Sequence, residues 1–437
     1  MTFPDTSDKE ILRIALPSIV ANITVPLLGM VDLAITGHLG SAAYIGAIAV
    51  GSMTFNIIYW VCGFLRMGTS GMTSQAYGRR DAKEAVLLLA RGLCVGLAIG
   101  LAVLLLQRPI LAAAIAMGGA DPQLVPLVTT YFRICVWGAP AMMCLYALTG
   151  WFVGMQDTRV TMTVSIVQNV VNIVASLTLV YVLGMSIDGV ATGTLIAQYA
   201  GLATALAFVA ARTWRQLWSV RWREVLRRDA LLRFFTVNRD IFLRTLFLVA
   251  VNLYFVSAGA AQGTGLLAVN TLLMQLFTLF SYVMDGFANA GEALCGKYTG
   301  AADRRALHST VKRLFGWGAA LAAVYTAVYA LGGSAFLSLL TDDGSVLAAA
   351  TAYLPWAVAI PVAGMAAFVW DGVFIGTTDT RGMLLSSALS AVLFFAVYAL
   401  ASRWMHNHGL WLAFIVYLMA RGAVQTLLFR RKELRRQ

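Results

Sequence analysis

Few residues of this chain could do chemistry, and those few are acids and amides set among apolar neighbours. Asp32 is the only acid between Ile11 and Gly37, and it follows Pro26 by six residues. A carboxylate at membrane depth is costly and marks a functional site by default. Pro26 has no N–H to offer the carbonyl of Asn22, so a helix there is expected to kink or break, which makes Pro26 the candidate hinge. Asn169, Asn172 and Ser176 follow i, i+3, i+7 spacing and therefore share one helix face. Thr194 closes Gly189-Val-Ala-Thr-Gly-Thr. Together Asp32, Asn169, Asn172, Ser176 and Thr194 form a candidate set for binding a proton or a small cation. The competing reading is ordinary interhelical hydrogen bonding between small polar groups.

A second set comprises Asp285, Glu292 and Asp371, with Arg66 at similar depth in the other half. These residues read as an ion-pair network closing one end of the protein, and alternatively as a second proton or substrate site. Met30 and Met53 are candidates for an adaptable substrate cavity, because thioethers pack around irregular ligands. His38 falls at a helix end, and His406 and His408 fall in an outer loop; two histidines without a third ligand make a poor metal site. No phosphate-cradling glycine loop, zinc-protease motif or nucleophile elbow occurs, so ATP-driven transport and membrane proteolysis lack support.

The elements that must position these groups are membrane helices. Sixty per cent of the residues are apolar and 12% charged, about half the charge of an average soluble domain. Apolar runs long enough to span a bilayer recur along the whole chain. Twelve helices are expected, near 11–36, 44–69, 86–106, 126–151, 160–183, 189–211, 236–260, 264–290, 310–336, 345–374, 383–402 and 409–429. The net charge of +12 lies in short loops between apolar runs, which is the positive-inside pattern and not a nucleic-acid footprint. Both termini are accordingly expected on the cytoplasmic side, and the first helix is expected to be retained. Cys62, Cys94, Cys135, Cys144 and Cys295 read as small hydrophobes.

An internal repeat organises the chain. Gly78-Arg-Arg-Asp matches Gly300-Ala-Ala-Asp, and Gly154-Met-Gln-Asp-Thr-Arg matches Gly376-Thr-Thr-Asp-Thr-Arg; both matches are 222 residues apart (300 − 78 and 376 − 154). Six helices per half give both halves the same orientation, with a pseudo-twofold axis along the membrane normal. The expected division is a lobe over 1–211, a basic amphipathic linker over 212–235 and a second lobe over 236–437. In the linker, Trp214, Trp218 and Trp222 recur every four residues among arginines, which predicts a helix lying on an anionic leaflet. Adding 222 takes Asp32 to Tyr254, Asn172 to Phe394, Ser176 to Tyr398 and Thr194 to Val416, so the polar set exists in one half only. Tyr254 joins the candidate cavity residues.

Pro26-Leu-Leu-Gly-Met-Val-Asp32, Ile35-Thr-Gly-His-Leu-Gly40, the Gly-Met-Gln-Asp-Thr-Arg turn and Asp285-Gly-Phe-Ala-Asn-Ala-Gly-Glu-Ala293 resemble the multidrug and toxic compound extrusion (MATE) family, and within it the DinF-like branch. The resemblance covers essentially the whole chain. It implies an all-α polytopic exporter of organic, often cationic compounds in a bacterial inner membrane, working by alternating access and coupled to a cation. The first-helix acid carries the proton or sodium in that family, a role that would fall on Asp32. Where the family often has Asn followed by Asp four residues later, this chain has Asn172 and Ser176. One carboxylate favours H+ over Na+, since a hard cation prefers several charged oxygens. The expected protein is a monomer without a cofactor, whose partners are small organic substrates and an anionic inner leaflet. A lipid or lipid-linked oligosaccharide flippase and a non-transporting membrane scaffold remain as alternatives. The basic residues a flippase would use are mainly Arg66, Arg133 and Arg421.

Overall fold

The computed structural model describes residues 7–37, 42–118, 122–218, 220–341 and 343–434. Among these residues the regular structure is helical throughout. The helices are α1 (Asp8–Gly37), α2 (Ala42–Cys62), α3 (Phe64–Gly78), α4 (Ala82–Leu105), α5 (Gln107–Gly118), α6 (Val125–Cys135), α7 (Ala139–Gly154), α8 (Thr158–Leu177) and α9 (Ile187–Trp218). They continue with α10 (Trp222–Val225), α11 (Arg228–Ala261), α12 (Thr264–Gly300), α13 (Arg304–Leu340), α14 (Gly344–Gly376) and α15 (Thr380–Leu434). The twelve expected spans correspond to α1, α2 with α3, α4, α6 with α7, α8, α9, α11, α12, α13, α14 and the two parts of α15, which meet at a non-helical residue, His406. The short α5 was not foreseen. With the backbone polar groups of each span satisfied inside its own helix, this is the fold of a polytopic α-helical membrane protein.

The chain forms two compact units. One comprises Val20–Asn238, and the other Arg239–Gln437 with Met1–Ile19. The basic stretch 212–235 is not one amphipathic helix, as its tryptophan spacing had suggested. It holds the end of α9, the four-residue α10 and the start of α11. The side chains of Trp214 and Trp218 lie outside the described residues. Arg91, 3% exposed, explains how α10 is held. Its Nε donates to the Val225 carbonyl (3.1 Å), one Nη to the Glu224 carbonyl (3.0 Å) and the other to Glu84 (2.8 Å).

The repeat is built into the packing of each unit. Any Cβ on Gly150 would meet the Arg66 carbonyl at 2.2 Å, and one on Gly372, 222 residues on, would meet the Ala288 carbonyl at 2.3 Å. Gly154 closes in the same way on the Ser70 carbonyl (2.8 Å), and Gly376 on the Glu292 carbonyl (2.7 Å). All four contacted residues keep the same offset. Small residues let membrane helices approach backbone to backbone, and here they lock α7 to α3 and α14 to α12. The matched sequence turns also have one geometry. Arg80 and Ala302 are left-handed (φ 58° and 57°), as are Gln156 and Thr378 (66° and 53°). Asp81 caps α4 by accepting from the Glu84 N–H, as Asp303 caps α13 by accepting from that of Ala306.

Candidate coupling site

Asp32 sits on α1, which continues as helix past Pro26 to Gly37, so the proline does not break it. The side chains of Pro26 and Met30, and all of His38, lie outside the described residues. Asp32 is half-buried, and its Oδ1 is fully enclosed without a hydrogen-bond partner among the described residues. Tyr131 and Cys135 of α6, both buried, share a core with Ile35, which follows Asp32 on α1. Three apolar residues beside them, Ile35, Val128 and Phe132, belong to one core that also takes in Val190 and Ala191 of α9. Sequence reasoning missed Tyr131 and Cys135. Only the i, i+4 spacing of the pair on a helix with no acid of its own signalled a shared face.

The amides of α8 are divided between two neighbours. The Nδ2 of Asn169 donates to the Thr24 carbonyl of α1 at 3.1 Å, which ties α8 to the helix that carries Asp32. Nδ2 of Asn172 donates instead to Thr194 Oγ1 on α9, also at 3.1 Å, and Thr194 donates to the Val190 carbonyl. Asn172 and Ser176 are fully buried, and the Asn172 Oδ1 and Ser176 Oγ have no partner among the described residues. Gly193 makes this possible. A Cβ there would lie 2.2 Å from Ser176 Oγ and 2.9 Å from its backbone nitrogen, so only glycine lets α9 approach so near. Immediately after Ser176 the helix loosens into a π turn over Thr178–Val182. Such turns recur at functional sites. The unit thus encloses a carboxylate oxygen, an amide oxygen and a hydroxyl, all unsatisfied. Buried polar groups without a partner are costly.

Of the acids expected in the end-closing network, Asp371 has its partners within its own unit. Asp371 (7% exposed) accepts from Arg244, from Arg421 at 2.6 Å and from Gln425 at 2.9 Å. Arg421 also lies over the Tyr417 ring, 5.6 Å from its centroid. Arg244 was missed in the sequence because it stands alone in an apolar run. Glu292 is buried and Asp285 exposed. Tyr254 is partly exposed and meets Phe394, Phe395 and Tyr398; Met53 is half exposed. His408 is not in a loop but receives the Trp356 Nε1–H at 2.9 Å. The five cysteines are free thiols.

The MatE family profile matches residues 17–178 and again 241–400, one copy in each half of the repeat. This chain belongs to the MatE family. As a MatE chain it is 36% identical over 436 residues to DNA damage-inducible protein F of Escherichia coli (strain K12), covering 99% of this chain and 94% of that protein. The MatE fold agrees in detail. A MATE structure in the bent conformation superposes with a TM-score of 0.87 at 19% identity, over 97% of this chain and 95% of the other. The Vibrio cholerae MATE transporter VcmN in the bent form gives 0.85 at 18%, over 97% and 96%. The protein is therefore a membrane transporter of the multidrug and toxin extrusion type, in its DinF-like branch.

Proposed function

We propose that this protein is a proton-driven antiporter that exports organic, mainly cationic compounds from a bacterial cytoplasm, with Asp32 as the proton carrier. The carrying observation is the enclosed, unpartnered Oδ1 of Asp32. Asn172 spends one of its two amide hydrogens on Thr194, and a proton is the smallest group that would satisfy the enclosed carboxylate oxygen. Ser176 brings a hydroxyl where a second carboxylate would favour Na+. Pro26 serves as the hinge, because a helix lacking one backbone hydrogen bond bends at low cost. Protonation of Asp32 then biases the helix between two shapes, and the population shift links proton entry to release of the exported compound. Asn169 and Thr194 hold α8 in register with α1 and α9. The protein works as a monomer with both termini in the cytoplasm, as its basic loops indicate.

The flippase alternative loses support because Arg421, one of its few basic residues, is engaged by Asp371. The test is efflux of ethidium from cells or proteoliposomes in sodium-free buffer. Efflux should follow an imposed pH gradient and stop when the gradient collapses. Efflux that requires sodium and ignores the pH gradient overturns the proton assignment. No efflux of any organic cation under either gradient overturns the exporter reading.

A further inference from the structure

An open cavity of about 600 Å³ lies against the first turns of α13, lined among others by Asp8, Ser309, Lys312, Arg313 and Trp317. Its charged groups do not cancel. The Arg313 guanidinium is paired with Asp8 at 2.9 Å, and the Trp317 Nε1–H donates to the same carboxylate at 3.1 Å. Lys312 is exposed and has no ion pair among the described residues, which leaves one cation facing the cavity. The Trp317 ring is steadied by Phe287, 6.0 Å away and stacked. Tryptophan is enriched at membrane–water interfaces, and basic side chains are favoured beside an anionic leaflet.

The repeat supplies an internal control. Subtracting 222 takes Arg313 to Arg91, Lys312 to Ala90, Ser309 to Leu87 and Trp317 to Val95. In that unit Arg91 is buried, and its guanidinium grips the carbonyls of Glu224 and Val225 in α10. Chain therefore covers the place there, where α10 is held against α4. At α13 the equivalent place is an open cavity, and Lys312, Ser309 and Trp317 have no basic, hydroxyl or indole counterpart at the repeat-related positions. The same helix face continues as Gly316, whose missing Cβ would meet nothing within 4 Å, then Ala320 and the exposed Val324, Val328 and Leu331. Positively charged at one end and apolar along its length, this face has the polarity of a phospholipid.

We propose that this cavity binds the phosphate of an anionic phospholipid, with Lys312 and Ser309 on the headgroup and an acyl chain lying over Gly316 and Ala320. The Asp8–Arg313 pair fixes the rim, and the uncompensated Lys312 charge balances the single charge of a phosphodiester. The site shares no residue with the Asp32 set, and its test is independent of transport.

The full-length protein in detergent is titrated with phosphatidylglycerol and with phosphatidylcholine, and bound lipid is counted by native mass spectrometry. Wild type should retain phosphatidylglycerol in preference. Lys312→Gln should weaken that retention about fivefold, the value of one basic residue at an anionic surface. Arg403→Gln, far along the sequence from the cavity, should leave it unchanged. Gly316→Leu keeps every charge and should weaken retention by filling the acyl path. Equal retention of the two lipids, or an unchanged Lys312→Gln titration, overturns the site. Inorganic phosphate at millimolar concentration should not displace the lipid; if it does, the cavity reads free phosphate and the lipid assignment fails.

Discussion

Tyr254 meets Phe394 edge-on, with ring centroids 6.1 Å apart, and these two residues stand where the repeat places the counterparts of Asp32 and Asn172. Tyr398, the counterpart of Ser176, joins them at 5.6 Å from Tyr254. Positions that carry a carboxylate, an amide and a hydroxyl in one unit thus carry three aromatic rings in the other, two of them packed on Tyr254. Aromatic contacts of this kind satisfy themselves without hydrogen bonds to an ion. At this place the second unit offers no carboxylate, which is why the proposed proton carrier is assigned to the first.

Asp32→Asn should abolish pH-driven efflux while the protein still inserts and folds, because an amide keeps the shape of a protonated carboxyl but cannot release a proton. Tyr254→Phe, at the repeat-related position, should leave coupling intact. Proteoliposome efflux under a pH gradient, beside a thermal melt, separates the two. Near-normal coupling in Asp32→Asn would transfer the role to another acid.

Pro26→Ala should slow transport without moving its pH dependence, since it restores one backbone hydrogen bond and leaves the carboxylate untouched. Comparing pH profiles of efflux for the variant and wild type checks this. A displaced profile would place the proline in the titrating group's surroundings instead.

Gly193→Ala should destabilise the first unit by about 1–3 kcal/mol, the usual cost of overpacking. The new methyl would press on Ser176 Oγ and on the backbone of α8, which cannot give way as a side-chain tip can. A lowered melting temperature in detergent is the readout. Ser176→Ala alone should be far milder.

Asp371→Asn should cost about 3–5 kcal/mol, because it leaves Arg244 and Arg421 buried without a counter-charge. Loss of folded yield and a lower melting temperature are expected. Asp371→Glu should retain much of the stability.

The Lys83 ammonium beside Glu224 holds that carboxyl below its usual range, so the pair favours the folded linker. A depressed carboxylate pKa gives stability that is present above the unfolded value and lost as pH falls through the folded one. Proteolysis of the α10 segment should therefore stay slow at neutral pH and quicken in acid. Lys83→Gln should remove that dependence, while Arg91→Ala should expose the segment at every pH.

The sequence made the spans and the repeat legible because both are periodic. The apolar runs needed only length, and the Gly–x–x–Asp turns needed a left-handed residue, which the structure shows at Arg80, Ala302, Gln156 and Thr378. Asp32, Asn172 and Ser176 stood out because polar atoms are rare in such runs. Their partners did not. Tyr131 and Cys135 look like ordinary apolar-face residues until α6 is placed beside α1. Arg244 and Arg421 lie 177 residues apart (421 − 244) and meet only through Asp371. The linker misled because tryptophans at every fourth position describe a helix face, whereas the buried Arg91 binds backbone carbonyls that no side-chain pattern announces.

The break at His406 bears on how the protein is made. One residue with φ 45° separates the two parts of α15, and Asn407 next to it exchanges both amide hydrogen bonds with Asn270 at 2.9 Å. Gly409 lies so close to Ala401 that a Cβ would sit 3.0 Å from its carbonyl carbon. So short a connection leaves the last two spans no freedom to enter the bilayer separately. We expect the two to insert as one hairpin, and a topology reporter spliced between them should disturb the Asn407–Asn270 pair.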